Sequence, residues 1–128
     1  MIDACRLDWM SRGLKERKIS MKGCGIVKFE PALFGLKVRG LIKPKDVLEE
    51  MESEKFIPSK NEHLLAFGAC LPERQRENPI IALDGFIRAG GAKHYLYLGA
   101  DGAGRYADLW FCGAAFNSSC RFLGIRLL

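Results

Sequence analysis

Aromatic side chains stand at every second position in two short runs near the end of the chain, with an acidic residue among them. On neighbouring strands this spacing places the rings on one face of a sheet, where they can stack against nucleic acid bases or another flat ligand. Lys93 and an arginine flank the rings with positive charge. The simpler alternative is that a helix covers the rings as part of the core, because aromatic side chains dominate interior packing. The candidate ligand- or partner-binding residues are Tyr95, Tyr97, Arg105, Tyr106, Asp108 and Trp110.

The usual signatures of catalysis are missing from the sequence. Nucleophilic catalysis needs an activated serine or cysteine beside a base, and the chain has no G-x-S-x-G motif and only two histidines, His63 and His94. We predict no catalytic residue, and His94 is better explained as a residue at the margin of a sheet. A small enzyme with its site assembled across a dimer stays a further hypothesis, which would draw on Asp84, Asp108, His63 or His94.

Metal and phosphate sites are also weakly indicated. The sequence lacks close-spaced ligand pairs such as C-x-x-C or H-x-x-x-H, so we predict neither a metal nor a cofactor. The run Gly99–Gly104 resembles a phosphate loop, but such a loop leads into a helix whose N-terminal amides hold the anion. This run lies between two predicted strands, which favours a turn. The charged loop 72–78 could hold an acidic group but is more simply a solvated connector.

The dipeptide Asp101-Gly102 predicts how the aromatic residues are positioned. Asp-Gly between two alternating runs is typical of a hairpin with a two-residue type I′ turn. Pairing outward from that turn places Tyr97 opposite Tyr106 and Tyr95 opposite Asp108. One side of the hairpin, the aromatic face, then carries the rings, and the other side carries aliphatic residues.

The remaining elements are predicted from hydrophobic periodicity and turn residues. Residues 63–71 are too short to assign, so strand and helix both stay open. Consecutive strands with short links predict an antiparallel meander in the C-terminal half, with one or two helices packed on one face, which is an α+β fold. We expect helices at 2–18 and 44–55 and strands at 24–31, 33–42, 79–88, 93–100, 104–112 and 120–128.

Length and composition predict one folded domain spanning residues 1–128. No apolar run approaches the roughly 18 residues of a membrane span, and the start of the chain lacks the pattern of a signal peptide. We therefore expect a cytoplasmic protein that does not bind membranes and keeps its five cysteines reduced. The net charge of +5 is concentrated in residues 1–45, which could attract nucleic acid, although a solvated surface explains it more simply.

The last predicted strand, residues 120–128, is mostly apolar apart from two arginines, and no polar tail follows it. Exposed apolar edge strands invite pairing, so this strand must pack in its own sheet or against a second copy of the chain. On this ground we expect a homodimer.

The run LLAFGACLPERQRENPIIALDGF, followed by HYLYLG and RFLGIR, resembles a pattern in short uncharacterised bacterial proteins, some of them carried on phages or other mobile elements. The pattern covers about residues 64–126. The resemblance implies a small bacterial accessory protein, and it assigns no activity and no role to any residue.

Together these features favour a non-catalytic binding or interaction protein. It would use the aromatic face or the edge of the C-terminal sheet to hold a small molecule or a protein partner. The first alternative is a nucleic-acid-binding protein that uses the basic N-terminal region and the sheet aromatics. The second is the small enzyme with a site at a dimer interface.

Overall fold

The computed structural model describes residues 13–16, 29–36 and 40–127, and over these residues the fold is α+β with strands predominating. No helix in this part of the chain is long and apolar enough to span a bilayer. The helices are α1 (Pro44–Ser53), α2 (Asn61–Cys70) and α3 (Arg74–Glu77). The strands are β1 (Gly13–Glu16), β2 (Phe29–Leu36), β3 (Ile57–Pro58), β4 (Ile80–Ala89), β5 (Ala92–Asp101), β6 (Gly104–Phe111) and β7 (Arg121–Leu127).

Strand β1 contradicts the predicted helix at residues 2–18 where the two overlap. Gly13–Glu16 pair antiparallel with the end of β2, from Gly13 opposite Leu36 to Glu16 opposite Leu33. A glycine costs a helix interior about 1 kcal/mol relative to alanine, and strand pairing satisfies the same backbone groups. The rest of the predicted helix lies outside the described residues.

Strand β2 is one strand where two were predicted, because it continues through Pro31. Pro31 lies opposite Ile125 of β7, whereas β1 pairs only with residues 33–36. Among the described residues no strand lies beside Pro31 on the β1 side, so its missing N–H interrupts no ladder there. The proline therefore does not end the strand.

The helices match the sequence in part. The helix predicted at 44–55 is confirmed as α1, which begins with Pro44 and has Asp46 in its first turn. Both residues suit a helix start, because proline lacks an N–H that would be unpaired there and a carboxylate favours the positive end of the dipole. Residues 63–71, left open between strand and helix, lie mostly in α2. The loop predicted at 72–78 contains the short helix α3.

The four C-terminal strands are confirmed with ends shifted by at most one residue, but their order is not a meander. Within the described residues the sheet order is β1-β2-β7-β4-β5-β6, with β3 pairing beside β4 against the end of β7. β7 returns past β4 and pairs with it in parallel, with Ile80 opposite Arg121. The sheet is therefore mixed. β7 is buried on both sides from Phe122 to Ile125, which suits a central strand better than a terminal one.

Buried side chains alternate between the two faces of the sheet. Ile80 of β4 packs with Leu64 of α2, and its neighbour Ile81 packs in a separate cluster with Met51 of α1. We call these faces the α2 side and the α1 side. The expectation that helices cover one face is wrong, because β4 and β7 carry apolar residues on both sides and each side needs a cover.

Candidate functional site

The β5–β6 hairpin carries all six predicted site residues, but its register differs from the prediction by two residues. Asp101 pairs with Gly104, so the loop residues are Gly102 and Ala103. The Asp101 side chain accepts the Ala103 backbone N–H at 2.8 Å, and Gly104 takes the positive φ of 132°. A shift of two residues keeps every side chain on its predicted face, because faces alternate with a period of two.

The β5–β6 hairpin lacks the predicted type I′ turn, whereas the preceding β4–β5 hairpin has a turn of this kind. Gly90 and Gly91 connect β4 to β5 with φ of 59° and 79°, and Ala89 pairs with Ala92 across them. Two consecutive positive φ values are what a type I′ turn requires. Strand ends predicted at residues 88 and 93 leave these two glycines unassigned, so the sequence does not predict this turn.

The aromatic face is partly core. Tyr95 lies opposite Trp110 and is only 9% exposed, while Tyr97 lies opposite Asp108. Trp110 stacks on Phe116 with ring centroids 5.0 Å apart and an interplanar angle of 24°. Phe116, in the segment between β6 and β7, therefore covers this end of the face, where a helix was the expected cover.

The outer end of the aromatic face stays accessible. The Tyr97 ring meets Trp110 at 5.1 Å and Tyr106 at 5.9 Å, both edge to face, and Tyr106 is 37% exposed. Burial, followed by hydrogen bonding to Tyr106 and the nearby charge of Asp108, raises the pKa of Tyr97 to about 12. Tyr97 is thus a neutral hydroxyl in the physiological range.

Asp108 protects the edge of the sheet. β6 is the last strand on its side among the described residues, and an exposed edge strand is a template for another chain. The Asp108 carboxylate accepts the backbone N–H of Leu109 at 2.7 Å. It therefore occupies one donor that an added strand would use, and it places negative charge beside the exposed rings.

Arg105 does not belong to the aromatic face. It lies opposite Ala100 and next in sequence to Tyr106, so strand alternation sends its side chain to the α2 side. There its guanidinium donates from Nη1 to Oε1 of Gln75 at 3.4 Å. The six predicted residues consequently form two surfaces separated by the sheet.

On the α2 side the structure contains an open cavity of about 260 Å³, which we call the hairpin groove. It lies between α2 and α3 on one side and β5 and β6 on the other. Gly68 allows the helix to approach the sheet here, since an added Cβ would lie 2.6 Å from Leu98 Cδ1. Its lining residues are Leu65, Gly68, Ala69, Gln75, Leu98, Arg105, Tyr106 and Ala107.

Gln75 fixes the polar end of the groove. Its side chain is buried, at 4% exposure, and Nε2 donates to the carbonyl oxygens of Gly99 at 2.8 Å and Tyr106 at 3.1 Å. Both amide hydrogens are thereby used, which orients Oε1 toward Arg105. The sequence analysis treated this residue as part of a solvated connector. The signal that could have identified it is composition, because Gln75 is the one uncharged residue between Glu73 and Glu77.

The residues considered for catalysis lie apart from one another. His63 accepts the backbone N–H of Lys60 at the start of α2, and the His94 ring lies beside Phe111 on the α2 side, opposite the face of Asp108. Among the described residues no three His, Cys, Asp or Glu side chains converge as metal ligands. Their contacts are those of a helix cap, a sheet margin and a protected edge.

Comparison of the chain with protein-family models, with curated proteins and with solved structures found no match. The resemblance to short bacterial proteins therefore stays a prediction. The candidate site is therefore defined by the β5–β6 hairpin and the two helices beside it.

Proposed function

We propose that this chain is a non-catalytic binding protein whose ligand occupies the hairpin groove. The observation that carries the proposal is an open cavity with apolar walls and a single cationic side chain, Arg105, directed by the buried amide of Gln75. Binding sites typically combine a mostly apolar lining with a few placed polar groups. The groove has this composition, and its volume of about 260 Å³ lies just below the range of about 300 to 1,000 Å³ that is typical of such sites.

Binding is favoured over catalysis by what lines the cavity. Among the described residues that line the groove, the polar side chains facing it are those of Gln75 and Arg105, because the Tyr106 ring lies against Tyr97 on the aromatic face. A catalytic site needs a nucleophile or a general base within reach of the substrate. The Gln75 amide donors are already engaged by backbone carbonyls. The lining can hold and orient a molecule but offers no group to transfer a proton from it at neutral pH.

The groove is a better candidate than the aromatic face. Phe116 already occupies the ring face of Trp110, and the accessible tyrosines lie beside the carboxylate of Asp108, which opposes a phosphate backbone. The nucleic-acid alternative stays a prediction, because most of the basic segment lies outside the described residues. The homodimer also stays a prediction, although β7 no longer requires one, since it packs within its own sheet.

The proposal is tested by filling the groove. Ala107 is exposed and lines it, so Ala107→Phe places a ring in the cavity without disturbing the core. The control is Ala114→Phe, at an exposed loop position outside the groove. A library of anionic, neutral and cationic fragments is screened against the ¹⁵N-labelled protein by NMR.

We expect at least one class of fragment to shift the amide signals of Gly68, Leu98 and Ala107 saturably. Binding should be lost in Ala107→Phe and kept in Ala114→Phe. If no fragment shifts these signals in the wild-type protein, or if Ala107→Phe binds fragments as well as wild type, the groove is not a binding site.

A further inference from the structure

The ligand chemistry of the groove follows from its charge. Among the eight described residues that line the groove, Arg105 is the one with a charged side chain, and none of the eight carries a carboxylate. Within the part of the chain that the structure describes, Arg105 forms no salt bridge, and its hydrogen bond is the long one to Gln75. A guanidinium has five N–H donors, so most of the donors of Arg105 are free for an anion.

The remaining walls are apolar. Leu65 is 51% exposed beside the groove, Leu98 forms its floor, and Ala69 and Ala107 add methyl groups. The volume of about 260 Å³ corresponds to roughly nine water molecules at about 30 Å³ each. It suits a ligand of about ten non-hydrogen atoms that has one anionic end and an apolar body.

Of the anions that a guanidinium binds, a carboxylate fits this setting best. It pairs with an arginine through two parallel N–H···O bonds. A phosphate would bring further charged oxygens against leucine and alanine walls and against the Gln75 oxygen, which already accepts from Arg105. The single cation and the apolar walls together therefore favour one carboxylate over a multiply charged group.

We propose that the groove binds small monocarboxylates with an apolar chain or ring, with the carboxylate on Arg105 and the apolar body against Leu98 and Leu65. This inference rests on the proposed function and goes further by naming the ligand class. Gln75 acts as a positioning residue, since its Oε1 holds the guanidinium at the mouth of the groove.

The probes are octanoate and octanamide, which share their apolar chain and differ in charge. Binding is measured by titration of the ¹⁵N-labelled full chain at neutral pH. The variants are Arg105→Gln, which removes the charge, and Arg105→Lys, which keeps a charge without the planar fork. The matched control is Arg88→Gln, at an exposed arginine of β4 that does not line the groove. Circular dichroism verifies that each variant is folded.

We expect octanoate to bind with a Kd on the order of 1 mM, the range set by a ligand of this size. Octanamide should bind at least about tenfold more weakly, as should octanoate to Arg105→Gln, because a charge-assisted hydrogen bond is lost in each case. Arg105→Lys should bind with intermediate affinity, and Arg88→Gln should equal wild type.

Three results would each overturn the proposal, and they separate it from the proposed function. If octanamide binds as tightly as octanoate with the same shifts at Gly68 and Ala107, the groove binds ligands but not carboxylates as a class. If octanoate binds equally to wild type and Arg105→Gln, the carboxylate does not sit on Arg105. If octanoate does not bind while fragments of another class occupy the groove, the class is wrong and the binding function stands.

Discussion

Replacing Gln75 with methionine tests whether one buried amide ties α3 to the β5–β6 hairpin. Nε2 of Gln75 donates to the carbonyls of Gly99 and Tyr106 at 2.8 and 3.1 Å, and the side chain is 4% exposed. Methionine has nearly the same length and volume and adapts its shape readily. The substitution therefore removes the hydrogen bonds with little change in packing.

The size of the destabilisation depends on whether the carbonyls of Gly99 and Tyr106 keep another hydrogen bond when the amide is removed. Gly99 lies opposite Tyr106 in the ladder between β5 and β6. The backbone hydrogen bond from Cys112 N to Lys93 O shows that Lys93 and Cys112 are a hydrogen-bonded pair at the end of this ladder. Counting by twos from that pair makes Gly99 and Tyr106 a hydrogen-bonded pair. Each carbonyl thus keeps its ladder partner when the amide is removed, and neither becomes an unsatisfied buried group.

The loss is then the two hydrogen bonds to the carbonyls, at about 1 kcal/mol net each, or about 2 kcal/mol of the free energy of unfolding. The third hydrogen bond, from Arg105 Nη1 to Oε1, is long at 3.4 Å and adds little. For a chain of 128 residues, an unfolding entropy of about 2.1 cal/mol/K per residue converts this loss into a decrease in Tm of about 7 °C. Thermal unfolding followed by circular dichroism, together with urea unfolding, measures both quantities.

Glu77→Met is the matched control, since Glu77 is an exposed residue of the same short helix and surface changes usually stay within about 0.5 kcal/mol. If Gln75→Met destabilises the protein no more than Glu77→Met does, the amide does not anchor the groove. The account of how Arg105 is positioned would then fail as well.

Four further substitutions test the hairpins. Gly91→Val should destabilise the protein by about 1 to 2 kcal/mol in urea, because Gly91 has φ of 79°, whereas Gly90→Asn should be nearly neutral; equal costs would contradict the turn assignment. The pKa of Tyr97, about 12, lies above the usual value of 10.0, so this tyrosine stabilises the fold below pH 10 and the contribution is lost as the pH rises through 12. Tyr106→Phe should lower that pKa in an absorbance titration, and an unchanged titration would refute the contact. Asp108→Ala should increase self-association in sedimentation experiments by freeing a donor on β6, and an unchanged mass distribution would show that this carboxylate does not protect the edge.

The strands of the C-terminal half were predictable because their side chains alternate and glycines bound them. The register of the β5–β6 hairpin was not, because two turns compete for the same residues. Asp101-Gly102 favours a type I′ turn, but the Asp101 carboxylate caps the Ala103 N–H and moves the turn one residue toward β6. Such local competition between a side chain and the backbone is not visible in composition.

The order of the sheet was predictable only in part. Short links between β4, β5 and β6 imply neighbours, and these pairs form. The segment between β6 and β7 is long enough for β7 to reach the far side of β4. β7 could lie at the edge beside β6 or in the centre beside β4. It is apolar on both faces, and only the central position buries both faces. The apolar residues on both faces of this strand could therefore have predicted a central position, although they were interpreted as evidence for a homodimer.

The six predicted site residues lie on two opposite faces of the sheet because side chains alternate along a strand, and the same alternation first identified the aromatic face. Arg105 and Tyr106 are consecutive residues of a strand, so their side chains must point to opposite faces whatever the register. Arg105 was grouped with the rings because it flanks them in sequence, although strand geometry places it with Ala107 on the α2 side. The sequence does not predict the hydrogen bond between Arg105 and the buried Gln75 on that side, because the two residues are 30 positions apart in the chain. The sheet therefore separates the guanidinium of Arg105 from Tyr97. If the groove binds a ligand as proposed, substitutions on the aromatic face should change stability and self-association and leave that binding unchanged.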